Sequence, residues 1–131
     1  MQGHRGLRPG WGPHLIAAGA AAGDRIGICE SALTPRPEHL QQTGVVHAGV
    51  VSTLAAHTAG AAAATLMGAQ HSVLTSELKM HLLRPARGPR SCTATVLEPG
   101  RMFSMLEAEV RAADLLVAKF IGTLAIVDSV R

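Results

Sequence analysis

The chain is 131 residues long, 47% hydrophobic and 16% charged, with a formal net charge of +3. That length holds one domain with a single real core, and that balance excludes a disordered chain. The basic excess comes without any Tyr, and without an RNP-like or zinc-finger spacing, so a nucleic-acid partner is set aside in favour of a small anionic ligand.

Residues 1–13, rich in Gly and Pro, read as a loose lead-in without the apolar stretch of a signal peptide, and 14–131 as a single domain. "HLIAAGAAAG" is expected to be a short helix. In "DRIGICESAL", Ile26, Ile28 and Ala32 alternate with Arg25, Gly27 and Ser31, and Glu30 interrupts the apolar face, which suggests an edge strand. "TPRPEHL" is a connection, because Pro35 and Pro37 deny amides to any ladder. From Gly49 to Met67 the chain is small or apolar on every side, long enough for about five helical turns. Between Glu38 and Glu77 it carries no Asp, Glu, Lys or Arg. Its Ala, Gly, Ser and Thr content, with His57 mid-span, predicts a helix wrapped by a sheet rather than a membrane span.

After Ser72 the period becomes twofold. Leu74, Ser76, Leu78, Met80 and Leu82 are expected on one face of a long strand, and Thr75, Glu77, Lys79 and His81 on the other. "RPARGPR" turns the chain, "SCTATVLE" is a second strand, and "PGR" turns again, with Gly100 serving that turn. In "MFSMLEAEVRA", Leu106, Ala108 and Val110 oppose Met105, Glu107, Glu109 and Arg111, the charged set reading as a solvated sheet face. "LLVAKFIGTLAIV" is apolar on both faces apart from Lys119 and Thr123, as in a strand covered on both sides. Cys29 and Cys92 lack CxxC spacing and read as buried reduced thiols of a cytoplasmic protein, not metal ligands. With Trp11, Phe103 and Phe120 the only aromatics, the core must be aliphatic, and further apolar surface is expected to be buried between copies.

The order is α+β: a strand, a long buried helix, then four antiparallel strands joined by short turns. That order resembles the hotdog fold, and "RPEHLQQTGVVHAGVVSTLAAHTAG", "VLTSELKMHLLRPARG" and "VLEPGRMFSMLEAEV" resemble its acyl-CoA thioesterases of the phenylacetate-degradation type over roughly residues 35–127. The resemblance implies one curved sheet around one helix, a homodimer or homotetramer, an acyl-CoA substrate and no cofactor, since coenzyme A is part of the substrate. No membrane partner is expected.

It also implies site residues. His47 precedes the helix, and Ala48 and Gly49 occupy its first turn, where free amides and a positive dipole suit the charge developing on a thioester carbonyl. The family has a second Gly where this chain has Ala48. Aligned on His47, the helix carboxylate with which relatives drive hydrolysis across the dimer interface falls at Ala56, so it is absent here. Gln41 falls where relatives often have an amide-bearing Asn, Thr75 at a hydroxyl-bearing strand position, and His57 beside position 56 is either a site residue or a structural one. One or two of Arg84, Arg87, Arg90 and Arg101 are expected to meet phosphates of coenzyme A.

Ala56 admits three accounts: an introduced substitution, a natural change with His57 or Glu77 recruited instead, or a loss of catalysis. The leading reading is therefore thioester hydrolysis, and its rival a non-catalytic acyl-CoA or acyl-carrier binding protein. A hydratase is a third option, but this chain shows no closely spaced Asp and His entering the helix, as that chemistry requires.

Overall fold

A computed structural model of the protein describes residues 17–19, 26–68, 70–85 and 87–128, with the 1–13 lead-in outside them. Among the described residues the strands are β1 (Ala17–Gly19), β2 (Ile28–Leu33), β3 (His71–Leu82), β4 (Arg90–Glu98), β5 (Phe103–Ala112) and β6 (Leu115–Asp128), and one α-helix, α1 (Ala48–Ala64), lies between β2 and β3. All pairings are antiparallel in the order β1-β2-β4-β5-β6-β3. The helix packs on the inner face of all five long strands, the α+β arrangement of the hotdog fold.

Alanine content explains how the helix both forms and fits. Ala is the strongest helix former, and its small side chain brings the helix axis close to the sheet. Leu54, Ala55, Ala59 and Ala62 are fully buried against Ala94, Leu106, Ala108, Val110, Ala118 and Phe120. At its C-terminal end the Thr65 hydroxyl donates to the Ala62 carbonyl at 2.7 Å and accepts the Gly27 amide at 2.7 Å, so an orphan carbonyl is satisfied and the helix is tied to the start of β2. No helix among the described residues is long and apolar enough to cross a membrane.

Several expectations are corrected. Ala17–Gly19, inside the segment expected to be helical, is a strand paired with β2, and the rest of that segment lies outside the described residues. β2 is therefore covered by β1 and is not an edge. Its buried side chains are Cys29, Ser31 and Leu33, so Glu30 stands on the outer face with Ile28 and Ala32 and interrupts nothing. The helix starts one residue earlier than expected and ends at Ala64, Met67 lying in the turn that follows.

In β3 the register shifts between Thr75, opposite Leu124, and Glu77, opposite Thr123. The extra residue, Ser76, moves the alternation by one. Thr75 thus shares the helix side with Val73, Leu78, Met80 and Leu82, whereas Leu74 joins Glu77, Lys79 and His81 outside. The segment after β3 is no hairpin either: β3 pairs only with β6, and β4 lies between β2 and β5. Residues 83–89 must cross the end of the sheet over three strand spacings, roughly 14 Å.

The helix is covered on one side only. Ser52, Thr53, Ala56, His57 and Gly60 are half-buried, and on β6 Lys119, Ile121, Thr123 and Ala125 are half-buried while Ala118, Phe120, Gly122 and Leu124 are buried. The solvated outer face is as expected: Lys119 bridges Glu107 at 2.9 Å and Glu109 at 3.1 Å, and Arg111 bridges Glu109 at 2.8 Å.

Candidate active site

The chain enters the helix through a tight loop. Leu40 bridges Val46, the Gln41 amide donates to the Val45 carbonyl at 2.7 Å, and the Gly44 amide returns to the Gln41 carbonyl at 2.9 Å. Gly44 sits at φ +85°, a conformation that favours glycine, and the missing Cβ leaves room for the Arg87 guanidinium beside it. Val46 and Val51, on either side of the helix start, are both buried, a spacing that fixes the entry angle as a hydrophobic staple does. His47 is the N-cap, at φ −57° and ψ 140°, with no side-chain cap, and its carbonyl accepts the Val50 and Val51 amides at 3.0 and 3.2 Å.

The amides of Ala48 and Gly49 come before those first bonds and sit at the positive end of a 17-residue helix. Both residues are exposed, and a Cβ built on Gly49 would meet nothing within 4 Å. Among the described residues only Ala113 has a positive φ without being glycine, so the methyl of Ala48 sits on unstrained backbone. A carbonyl oxygen can therefore approach this turn, and the donors fit the charge it develops when attacked.

The crossing segment completes the surroundings. It passes under the helix start, where Arg87 donates to the Thr43 carbonyl at 2.6 Å and Arg84 to the Leu116 carbonyl at 2.7 Å. Arg90 is only 4% exposed, and donates to the Gly88 carbonyl from Nη2 at 2.6 Å and Nε at 3.2 Å. Burial pushes its pKa below the ordinary arginine value. Between helix start and sheet lies a cavity of about 190 Å³, walled by Gln41, Ala48 and Val51 on one side and by Leu82, Arg90 and Val117 on the other. Gln41 also borders an open depression with Thr43 and His47.

The expected site residues thus fall into groups. Gln41, His47, Ala48 and Gly49 come together at the helix start, with Arg84, Arg87 and Arg90 beside them. Arg101 follows β4, the opposite end of that strand from Arg90. Position 56 lies nine residues into the helix from His47, about 13 Å along its axis. Val73 lies 3.6 Å from a Cβ built on Gly60, so Thr75, about 7 Å further along β3, reaches the level of Ala56. His57 is turned about 100° from Ala56. Glu77 lies on the outer face, opposite Thr123, with the sheet between it and the helix, so this carboxylate cannot replace one at position 56 within its own chain. Sequence reasoning missed the cavity and the burial of Arg90, since the only local signal was a Pro- and Gly-rich turn whose path depends on where β4 inserts.

Comparison with known proteins agrees with this architecture. The thioesterase superfamily profile matches residues 43–119. "Putative esterase SSO2140" of Saccharolobus solfataricus is 36% identical over 90 residues, 67% of this chain, and the match spans 64% of that relative's length. A thioesterase family protein of Silicibacter pomeroyi superposes with a TM-score of 0.83 at 28% identity, covering 93% of this chain and 91% of that one. The PaaI protein of the phenylacetic acid degradation operon of E. coli shares the fold, with a TM-score of 0.72 at 20% identity over 78% of this chain and 74% of its own.

Proposed function

Because the chain belongs to the thioesterase superfamily, we propose that it hydrolyses acyl-CoA thioesters at a site completed by two copies of itself. The observation that carries this reading is the open helix start, with the unengaged Ala48 and Gly49 amides above a mostly aliphatic cavity. In the reaction a water oxygen attacks the thioester carbon, and the resulting oxyanion is held by the amides of residues 48 and 49. The carbon–sulfur bond then breaks, a proton passes from the attacking water to the departing sulfur, and a free acid and the thiol of coenzyme A remain. Gln41 is placed to orient water or carbonyl, and Arg84 and Arg87, exposed at the rim, suit phosphate oxygens. No cofactor enters these steps.

The spacing within one chain supports a site shared by two copies. The helix start and the Ala56–Thr75 region of one chain are about 13 Å apart, beyond the reach of one thioester group. β3 supports the pairing: it is a 12-residue edge strand with one side of its ladder open, and Leu78 and Leu82 are exposed on its helix side. Joining two such edges antiparallel would bring the half-buried helix faces together. A reducing compartment such as the cytoplasm suits the unpaired thiols of Cys29 and Cys92.

Ala56 favours a second reading, a binding protein that holds acyl-CoA without hydrolysing it, since the described residues offer no carboxylate on the helix. Release of free thiol from short, medium and aromatic acyl-CoAs, compared between this chain and Ala56→Asp, tests both. Hydrolysis in either chain supports the thioesterase site, with the variant expected to be faster. Binding of acyl-CoA without turnover in either supports the second reading, and no binding at all refutes both.

A further inference from the structure

Arg90 is the described cation with the least explained setting. It lines a cavity together with Val45, Val46, Val51 and Val117, and no carboxylate among the described residues pairs with it. Its Nε and Nη2 share a single acceptor, the Gly88 carbonyl, although a guanidinium has five N–H donors. A buried cation without a counter-charge is costly to keep, and a hydrophobic residue at the start of β4 would fill this space at lower cost. Arg90 is also among the residues that line the cavity beneath Ala48.

We infer that Arg90 selects acyl groups whose far end carries a carboxylate: with the thioester carbonyl at the amides of residues 48 and 49, the acyl chain runs down the cavity and its terminal carboxylate meets the guanidinium. This rests on the acyl-CoA reading above and adds the substrate class, short dicarboxylic acids joined to coenzyme A through one end. The volume, about 190 Å³, lies below the roughly 300–1,000 Å³ of pockets that enclose drug-sized ligands, and suits a few carbons rather than a nucleotide. The aliphatic walls suit methylene groups, and the planar fork of the guanidinium suits two carboxylate oxygens at once. A phosphate of coenzyme A would have to give up its water among valines and leucines, whereas Arg84, at the rim of the same cavity, and Arg87 stand exposed to water.

The test is calorimetric titration of non-hydrolysable thioethers of coenzyme A bearing a butyl, a 3-carboxypropyl or a 3-aminopropyl group, with the unchanged chain and with Arg90→Met. In the unchanged chain the carboxypropyl ligand is expected to bind roughly tenfold to a hundredfold more tightly than the butyl one, and the aminopropyl ligand most weakly. Arg90→Met is expected to abolish that order while leaving the butyl ligand within about threefold. The order on the unchanged chain stands as a test even if the variant fails to fold. Equal affinity for the three ligands overturns the inference and leaves the acyl-CoA reading intact. Equal weakening of all three in Arg90→Met also overturns it, since the guanidinium would then be serving the common coenzyme A portion. If none of the three binds, the acyl-CoA reading itself falls, and this inference with it.

Discussion

The proposed two-copy site makes a prediction that no single-chain site makes. Ala56→Asp supplies a carboxylate about 13 Å from its own helix start, so it should act on a thioester held by the other copy. The doubly changed chain Ala56→Asp, Gly49→Leu carries the base but blocks its own amides, because the open space beside Gly49 is filled by the new side chain. The unchanged chain has free amides and no base. Each homodimer is therefore expected to be slow, while a mixed dimer has one complete site, the amides of the unchanged chain facing Asp at position 56 of the changed one. Positioned acid–base catalysis typically contributes about 10² to 10⁴-fold. A one-to-one mixture unfolded and refolded together should recover about a quarter of the Ala56→Asp rate, since half the dimers are mixed and each has one of its two sites complete. Thiol release with a chromogenic thiol reagent is the assay. Full activity of Ala56→Asp with no recovery in the mixture, shown by mass spectrometry to contain mixed dimers, would refute the two-copy argument.

Other properties follow from the same geometry. Met80→Asp places a charge on the helix side of the β3 edge, and light scattering should show the assembly reduced to single chains at micromolar concentration; an unchanged mass would exclude that edge as the contact. Gly100→Ala puts a methyl against the Phe103 carbonyl in the β4–β5 turn and should cost about 1–3 kcal/mol, read as a lower denaturant midpoint at unchanged slope. Burial pushes the Cys92 thiol from 9.0 up to about 11, with Cys29 adding to the rise and hydrogen bonds to Thr58 and Ser31 opposing it. The folded chain then holds this proton more tightly than the unfolded one, so the contribution is complete below pH 9 and is lost as pH rises toward 11. That loss, up to about 3 kcal/mol, should shrink in Cys92→Ala when unfolding is measured across that range.

Much of this molecule follows from patterns of neighbouring residues. The helix follows from alanine-rich continuity between Pro37 and Ser72, and β5 from strict alternation about Leu106, Ala108 and Val110, because helix and strand formation respond to spacings of two to four residues. The helix start at His47 was equally plain, since it depends on position along one continuous helix.

Other features arise from contacts between segments far apart in the chain. The bulge at Ser76 transferred Thr75 to the helix side and left Glu77 outside; it arises from the pairing of β3 with β6, some fifty residues away along the chain. The insertion of β4 between β2 and β5 sent the crossing segment under the helix start, and so buried Arg90 beside a cavity while leaving Arg101 at the far end of the strand. Periodicity records which way a side chain points relative to its neighbours. Which strand lies alongside is settled by the joint burial of faces from the whole sheet, and that choice turned a string of turn arginines into one buried cation and two exposed ones.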